Sequence, residues 1–387
     1  MHIRKDSKVK VAVIGGGIAG TTLNYLLQQD DQQQDKQYRI NLYDKSRRLG
    51  GRASLVPIQD LQVPLAIGVK HCSINVEKLK DSKLTQDINL EGFFQDLGWQ
   101  KLDHLQKHNS SASFELATDT WINIEQSFSV DSLGSRQNHS LYLSHHIKSL
   151  CFDHSTQTWQ IDGECWVEQQ KSTFSHTANY IMLSLPPQQA YDLLEETEFK
   201  IPKKTSLVPE EITRLKHRLE QVNTQSSWVI LLKLPSRLLG QLQSNTLQNS
   251  KMIKSIKDLS TNLLPHQCAD SSVIAIHLHH DWSAENMELD VSKIEELCLV
   301  ELKSRLSNPT NIERSSIDVL KIHRWRYASS SLTDDLQQLY YPQFNLGLCG
   351  EAILKGQIDQ GVERAILSAL RLYSEINLST ECRGKSF

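Results

Sequence analysis

Gly15-x-Gly17-x-x-Gly20 stands directly behind Val9 to Ile14, a strand-like stretch that is apolar from Val11 onward. In that setting each glycine has its own task. Gly15 permits a tight turn out of a strand. Gly17 leaves room for backbone amides to approach a diphosphate, and Gly20 lets a following helix pack close to the strand. A helix start also carries unpaired N–H donors and partial positive charge. The backbone around Gly17, Ile18 and Ala19 is therefore a candidate cradle for the pyrophosphate of a dinucleotide. Such a site calls for a carboxylate at the end of the next strand, roughly 20 residues on, to engage a ribose hydroxyl pair. Asp44 stands there, behind Tyr38 to Tyr43.

The elements around these residues support that reading over an ordinary glycine loop and a solvated strand-end acid. Thr21 to Gln28 reads as helix, with Leu23, Leu26 and Leu27 making an apolar stripe. Gln29 to Gln37 is rich in Gln and Asp and has no apolar residue, so it reads as a surface loop between helix and strand. Past Asp44 come Lys45, Arg47 and Arg48, then Gly50-Gly51-Arg52. Gly51 lets the backbone pass close to a ligand, and Arg52 offers a guanidinium to a phosphate or carbonyl oxygen. Arg47 and Arg48 alone fit either a basic surface turn or a 2′-phosphate site, and Asp44 argues against the second by repulsion.

The chain has 387 residues, of which 39% are hydrophobic and 22% charged, with a net charge of −3. That is enough for a large core and two domains. The charge balance points to neither nucleic acid nor an anionic membrane as the main partner. Seven cysteines without a C-x-x-C pair read as reduced thiols, and so as a cytoplasmic protein. No apolar run approaches the roughly 18 residues of a membrane span. On a strand His277 and His279 share a face and Asp281 extends the row, with His280 beside them, a pattern metal ligands can take, but no metal is expected. His145-His146 reads as surface loop, and Cys349 as a small core side chain.

The stretch from Asp44 to Arg52 resembles the flavoprotein amine oxidase superfamily, in which an acid, a short basic segment and Gly-Gly-Arg wrap FAD. Residues 346 to 373, with Gly350-Glu351 and then Gly361-Val362-Glu363-Arg364-Ala365, resemble the second FAD motif of that family. The resemblance implies non-covalent FAD. Gly350 would close the strand, Glu351 would accept a hydrogen bond from a ribityl hydroxyl, and the helix start at Gly361 and Val362 would face the flavin pyrimidine oxygen. Leu141 to Leu150 matches the strand the superfamily passes along the adenine, which Ile147 would meet through its backbone. Residues 181–194, 276–289 and 321–328 are, in this order, similar to the renalase branch.

The fold expected is α/β: a Rossmann-like FAD-binding domain with a second α+β substrate domain built on an antiparallel sheet. The FAD domain is expected at 8–85, 140–195 and 318–380, and the substrate domain at 86–139 and 196–317, with tails at 1–7 and 381–387. Phe152 to Ile161 and Cys165 to Phe174 read as hairpin strands. Ile181 to Leu185 reads as a buried parallel strand, and Pro202 to Pro209 as a crossing linker. Ser227 to Leu232 and Ser272 to His279 read as antiparallel strands. Val291 to Leu306 reads as an amphipathic helix using Ile294, Leu297, Val300 and Leu302.

The resemblance implies an FAD-dependent oxidoreductase. It would take hydride from a small reduced donor, a dihydronicotinamide isomer or an amine, onto flavin N5 and pass electrons to O2 to give H2O2. The renalase-like segment that runs beside the flavin is replaced here by Ala66-Ile67-Gly68-Val69-Lys70-His71, keeping only the glycine. Lys70 and His71 therefore either sit near the ring as catalytic candidates or point to solvent. Trp325, in one strand row with His323 and Tyr327, either walls the substrate cleft or is a core aromatic. Two other readings stand beside the oxidoreductase: a flavin-binding accessory protein with little turnover, and a desaturase-like flavoprotein.

Overall fold

A computed structural model describes residues 9–34, 38–58, 61, 64–68, 71–75, 95, 99–101, 111–116, 139–167, 170–200, 209–244, 250–260, 270–305, 317–332, 334–355 and 361–384. The chain divides into two units. One comprises Met1–Ser54, Lys70–Asn223 and Ser330–Phe387, and the other Leu55–Val69 and Thr224–Ser329.

The first unit is built on a six-stranded sheet. Its order is Tyr340–Tyr341, Leu346–Leu348, Tyr180–Leu183, Val9–Ile14, Tyr38–Tyr43 and His139–Tyr142. All neighbours run parallel except the edge strand Tyr340–Tyr341. The central strand is buried from Val11 to Ile14, as an apolar run covered on both faces must be. The helix Ile18–Gln34 buries Leu23, Leu26 and Leu27 and packs beside the helix Gly361–Gly384. The Gln-rich tract expected as loop is helical as far as Gln34. Glutamine loses little rotamer freedom in a helix, and no glycine or proline stops the run.

A second sheet in this unit orders Gln170–Ala178, Thr158–Val167, His145–Asp153 and Glu198–Lys200. The strand expected from Phe152 to Ile161 is interrupted by a turn at residues 154–157, where Asp153 Oδ1 accepts from the Ser155 amide at 2.8 Å and Gln157 takes φ 53. Local side-chain-to-backbone bonding of this kind competes with a ladder. The expected single strand Leu141 to Leu150 is likewise broken at Ser144, with φ 56. A three-stranded sheet joins His71–Asn75, Ser111–Leu116 and Trp99–Lys101.

The second unit holds a four-stranded sheet ordered Ile253–Asp258, Ser271–Leu278, Asn223–Pro235 and Asp318–Ser331. The first three strands pair antiparallel. Alternation gives it two apolar faces. Trp228, Ile230, Leu232, Ile274 and Ile276 pack with Leu238 and Leu242 of the helix Ser236–Ser244 and with Ile294, Cys298 and Leu302 of the helix Val291–Ser304. Val229, Leu231, Val273 and Ala275 pack with Val56, Ile58, Leu65 and Ile67. Val300 is 60% exposed rather than part of the apolar stripe, because Cys298 and Leu299 occupy the inward positions.

These groupings move the expected boundaries. Strands Trp99–Lys101 and Ser111–Leu116 belong to the first unit because they pair with His71–Asn75. Residues 318–329 belong to the second because their strand completes its sheet. Of the expected linker, 202–208 lies outside the described residues, and Pro209 precedes the helix Glu210–Glu220.

Trp159 lies fully buried among Phe152, Phe199 and Phe344 and donates its Nε1–H to the Phe344 carbonyl at 2.7 Å. Trp159→Phe leaves that carbonyl unpaired. It is expected to lower unfolding free energy by about 1–3 kcal/mol, read from the urea midpoint.

Candidate functional site

In the first unit the glycine loop folds back on its own strand. Gly15 takes φ +111, and a Cβ there would lie 2.1 Å from the Ser184 carbonyl oxygen. At Gly20 a Cβ would lie 1.9 Å from the Gly15 carbonyl oxygen, so the helix meets the strand backbone to backbone. Gly17 is different: a Cβ there would meet nothing within 4 Å. Two glycines serve close packing, and the middle one leaves an opening at the helix start beside Ile18 and the buried Ala19.

Asp44 closes this loop against the second strand. Its Oδ2 accepts from the Gly16 amide at 2.7 Å and its Oδ1 from the Ser46 amide at 2.6 Å. Gly16 was not singled out from sequence. A Cβ on it would press on Leu49 at 2.5 Å and on Asp44 Oδ2 at 3.1 Å, and only the spacing to Leu49 could have signalled it. The Gly50 amide donates to the Gly16 carbonyl at 2.8 Å, and a Cβ on Gly51, at φ +54, would stand 3.5 Å from the Gly17 Cα. The Gly-Gly-Arg turn is thus laid against the glycine loop.

Lys45, Arg47 and Arg48 are exposed. Partial desolvation pushes the Lys45 ammonium below its usual range, with Asp44 opposing. The His145 amide donates to the Asp44 carbonyl at 2.9 Å, which starts the strand carrying Ile147 beside this loop. His145 itself is part of an aromatic group with Tyr142 and Phe174, not a surface loop.

The C-terminal motif joins the same region. Arg52 Nη1 donates to Glu351 Oε1, which also accepts from the Ser330 amide at 2.8 Å. A Cβ on Gly361 would lie 2.5 Å from Glu351 Oε2, so the helix Gly361–Gly384 starts against this carboxylate, with Val362 buried behind. The Gly350 amide donates to Ser368 Oγ at 2.8 Å. Buried Arg364 donates to the carbonyls of Leu354 and Ser330 at 3.2 and 3.4 Å, fixing both sides of Glu351. An open amide cradle, one acid beside it, one arginine and a second acid are the donors and acceptors an adenine dinucleotide needs. The residues present fit that group.

Of the proposed catalytic residues, Lys70 lies outside the described residues. His71 opens the strand His71–Asn75 opposite Glu115. Trp325 belongs to the second unit, half-buried on its apolar cluster, with His323 edge-on at 5.1 Å and the His277 ring at 6.4 Å. The structure does not group Trp325 with the glycine loop residues; it sits in the other unit. His277 is mostly buried, and Nε2 has no hydrogen-bond partner among the described residues. Burial first, then Lys257, Lys254 and His280, push its pKa down to about 4. Among the described residues no group of three or more His, Cys, Asp or Glu is arranged to hold a metal ion.

A family model for an NAD(P)-binding Rossmann-like domain matches residues 13–79. No curated protein sequence matches the chain. Solved structures match over nearly the whole length. A putrescine oxidase double mutant aligns with TM-score 0.59 at 11% identity, covering 96% of this chain and 99% of that one. Cyclohexylamine oxidase from Brevibacterium oxydans aligns with TM-score 0.54 at 12% identity, covering 96% and 100%. A CLA-producing fatty acid isomerase from P. acnes aligns with TM-score 0.53 at 10% identity, covering 96% and 99%. The chain therefore has the fold of amine oxidases, a Rossmann-like dinucleotide-binding unit with a second unit on an antiparallel sheet.

Gly17→Val is expected to fold normally and to lose dinucleotide affinity at least tenfold, since the added carbons fill the opening. Gly20→Ala is expected to lower the melting temperature itself, because backbone must move to admit one methyl. Titration with FAD and a thermal melt separate the two effects. The His277 ring predicts a pH effect of definite sign. The unfolded ring takes a proton near its ordinary value of 6.5, the folded ring only near 4. Stability is therefore complete above about pH 6.5 and falls, by up to about 3 kcal/mol, as pH drops toward 4. Urea midpoints between pH 7.5 and 4.5 should fall more steeply in the native chain than in His277→Leu.

Proposed function

We propose that this chain is an FAD-dependent oxidoreductase, with FAD held non-covalently in the first unit. The observation that carries this reading is the convergence of three separate sequence segments, around Gly17, Gly51 and Glu351, on one set of backbone amides and two carboxylates. Dinucleotide sites need that convergence, and an isolated glycine loop does not supply it. Amides after Gly17 would hold the pyrophosphate, with Arg52 as a further donor and Lys45 at the rim. Asp44 would take the ribose hydroxyls and Ile147 the adenine edge. Glu351 would take a ribityl hydroxyl, and the helix start at Val362 would favour negative charge on the flavin pyrimidine oxygen.

When bound, FAD supplies acceptance of a hydride at N5 and delivery of two electrons and two protons to dioxygen as hydrogen peroxide. By resemblance to the renalase branch, the donor is a small reduced molecule, a dihydronicotinamide isomer or an amine. A dihydronicotinamide becomes aromatic on losing hydride and needs only positioning. An amine must first lose a proton, which Lys70 or His71 could take. The four described cysteines singled out as free, Cys151, Cys165, Cys298 and Cys349, suit a reducing, cytoplasmic setting. Among the described residues no helix is long and apolar enough to cross a membrane. A second reading, an accessory protein that binds flavin with little turnover, is favoured by the replaced segment Ala66 to His71.

The purified chain is expected to be yellow and to release its flavin on denaturation. Anaerobic mixing with dihydronicotinamide isomers should bleach the flavin, and air should restore it with peroxide release. A colourless protein that does not take up micromolar FAD defeats the proposal. A bound flavin that no isomer or amine bleaches leaves the accessory reading. Lys70→Gln is expected to alter the flavin spectrum or turnover; no change in either places Lys70 away from the ring.

A further inference from the structure

One face of the second unit's sheet changes character along its length. Register sets His277 opposite Val229 on one side and Ser255 on the other, and Lys257 opposite Ala275. Ser255, Lys257 and His277 therefore share the face that carries Val229, Leu231 and Ala275. Trp325 packs on that same apolar cluster, its ring tilted 32° to His277, with His323 edge-on beyond it. Lysines on Ile253–Asp258 would need no other explanation than an open sheet edge, which charge protects from pairing. That does not account for His277. Its Nε2 is closed off from solvent without a partner among the described residues, a state that costs free energy until something completes it. The groups whose charges act on His277 are all basic: Lys257, Lys254 and His280. Among the described residues the neighbouring charge that acts on Lys257 is that of Lys254, also basic.

We propose that this patch binds a planar ring bearing a carboxylate or phosphate. The ring would lie along Trp325, the anionic group would meet Lys257, and a ring or carbonyl heteroatom would complete His277 Nε2. That nitrogen is closed off from solvent, so a side chain over it must move when the site fills. Aromatic stacking and a charge-assisted bond to the Lys257 ammonium then act on one small molecule. This binding site goes beyond the oxidoreductase reading and does not rest on it, since all its residues belong to the second unit.

The test uses the full chain, with and without added FAD, and non-reacting probes: nicotinate and benzoate as planar anions. Cyclohexanecarboxylate, benzyl alcohol and inorganic phosphate serve as comparators lacking planarity, charge or the ring. Binding is read by calorimetry and by the change in tryptophan fluorescence that Trp325→Leu abolishes. Nicotinate and benzoate are expected to bind at least tenfold tighter than each comparator. Lys257→Met should weaken both at least tenfold, His277→Leu should weaken nicotinate, which carries a ring nitrogen, more than benzoate, and Lys257→Arg should restore binding. Equal binding of all five probes, no binding, or binding indifferent to Lys257→Met overturns the proposal. Since probe binding needs no flavin, absence of flavin absorbance with probe binding intact removes the oxidoreductase reading alone. A normal flavin spectrum without probe binding removes this site alone.

Discussion

Between Gly15 and Gly20 two backbones come so near that a Cβ at Gly20 would stand 1.9 Å from the Gly15 carbonyl oxygen. That contact sets the distance from the first strand to the first helix, and the rest of the first unit is arranged around it. With the helix start pressed against the strand end, the loop between them turns outward at Gly17. Asp44 then ties the Gly16 amide to the second strand, and the Gly50 amide ties the Gly-Gly-Arg turn to the Gly16 carbonyl. Each bond is worth only about a kilocalorie per mole net. Their effect is positional. Together they hold five neighbouring backbone segments so that ligand binding need not order them afterwards, which is where preorganised sites gain affinity.

The ion pair of Arg52 with Glu351 adds to this in the same way. Arg52 is about one-third exposed while the Glu351 side chain is 9% exposed. A pair open to water on one side contributes little to stability through charge alone. What it does is join residues almost three hundred positions apart, so that the second motif is in register with the first. Buried Arg364 supports the arrangement from behind through two carbonyls, and the Ser330 amide uses a second lone pair of the same Glu351 oxygen. A carboxylate held by several donors is fixed in direction, and direction is what hydrogen bonding to a sugar hydroxyl requires.

The legible parts of the chain were those where one residue type is sterically required. Gly15 and Gly20 could be read because no other side chain fits, Gly51 because its φ of +54 favours glycine, and Asp44 because its spacing follows from strand and helix length. Of the parallel strands, Val9–Ile14 was readable from its apolar end and Tyr38–Tyr43 from its alternation. Legibility failed where tertiary context outweighed local signals. The tract from Gln29 extended a helix although it lacks apolar residues, and the turn after Asp153 lay inside a run that alternates well enough to pass for strand. Gly16 went unread because its need for hydrogen as a side chain comes from Leu49, distant in sequence and adjacent in space. Domain boundaries failed for a related reason. Strand pairing decides to which unit a segment belongs, and pairing partners such as His71–Asn75 with Ser111–Leu116 leave no mark in either segment alone.

The second unit makes the same point from the opposite direction. A sheet that is apolar on both faces should bury uncharged side chains on both, and eleven of the residues from Trp228 to Leu234 and Val273 to Leu278 do so, leaving Lys233 and His277 as the departures. Lys233 can extend its ammonium past the strand end, as long basic side chains do. His277 has no such reach. An imidazole surrounded by basic groups is kept neutral there, so it keeps both a donor and an acceptor, and its buried Nε2 has no partner among the described residues. A valine or isoleucine would fill that position at lower cost, as the neighbouring strand positions demonstrate. The presence of a costlier residue at a place where a cheaper one packs equally well is the physical reason to look for function on this face.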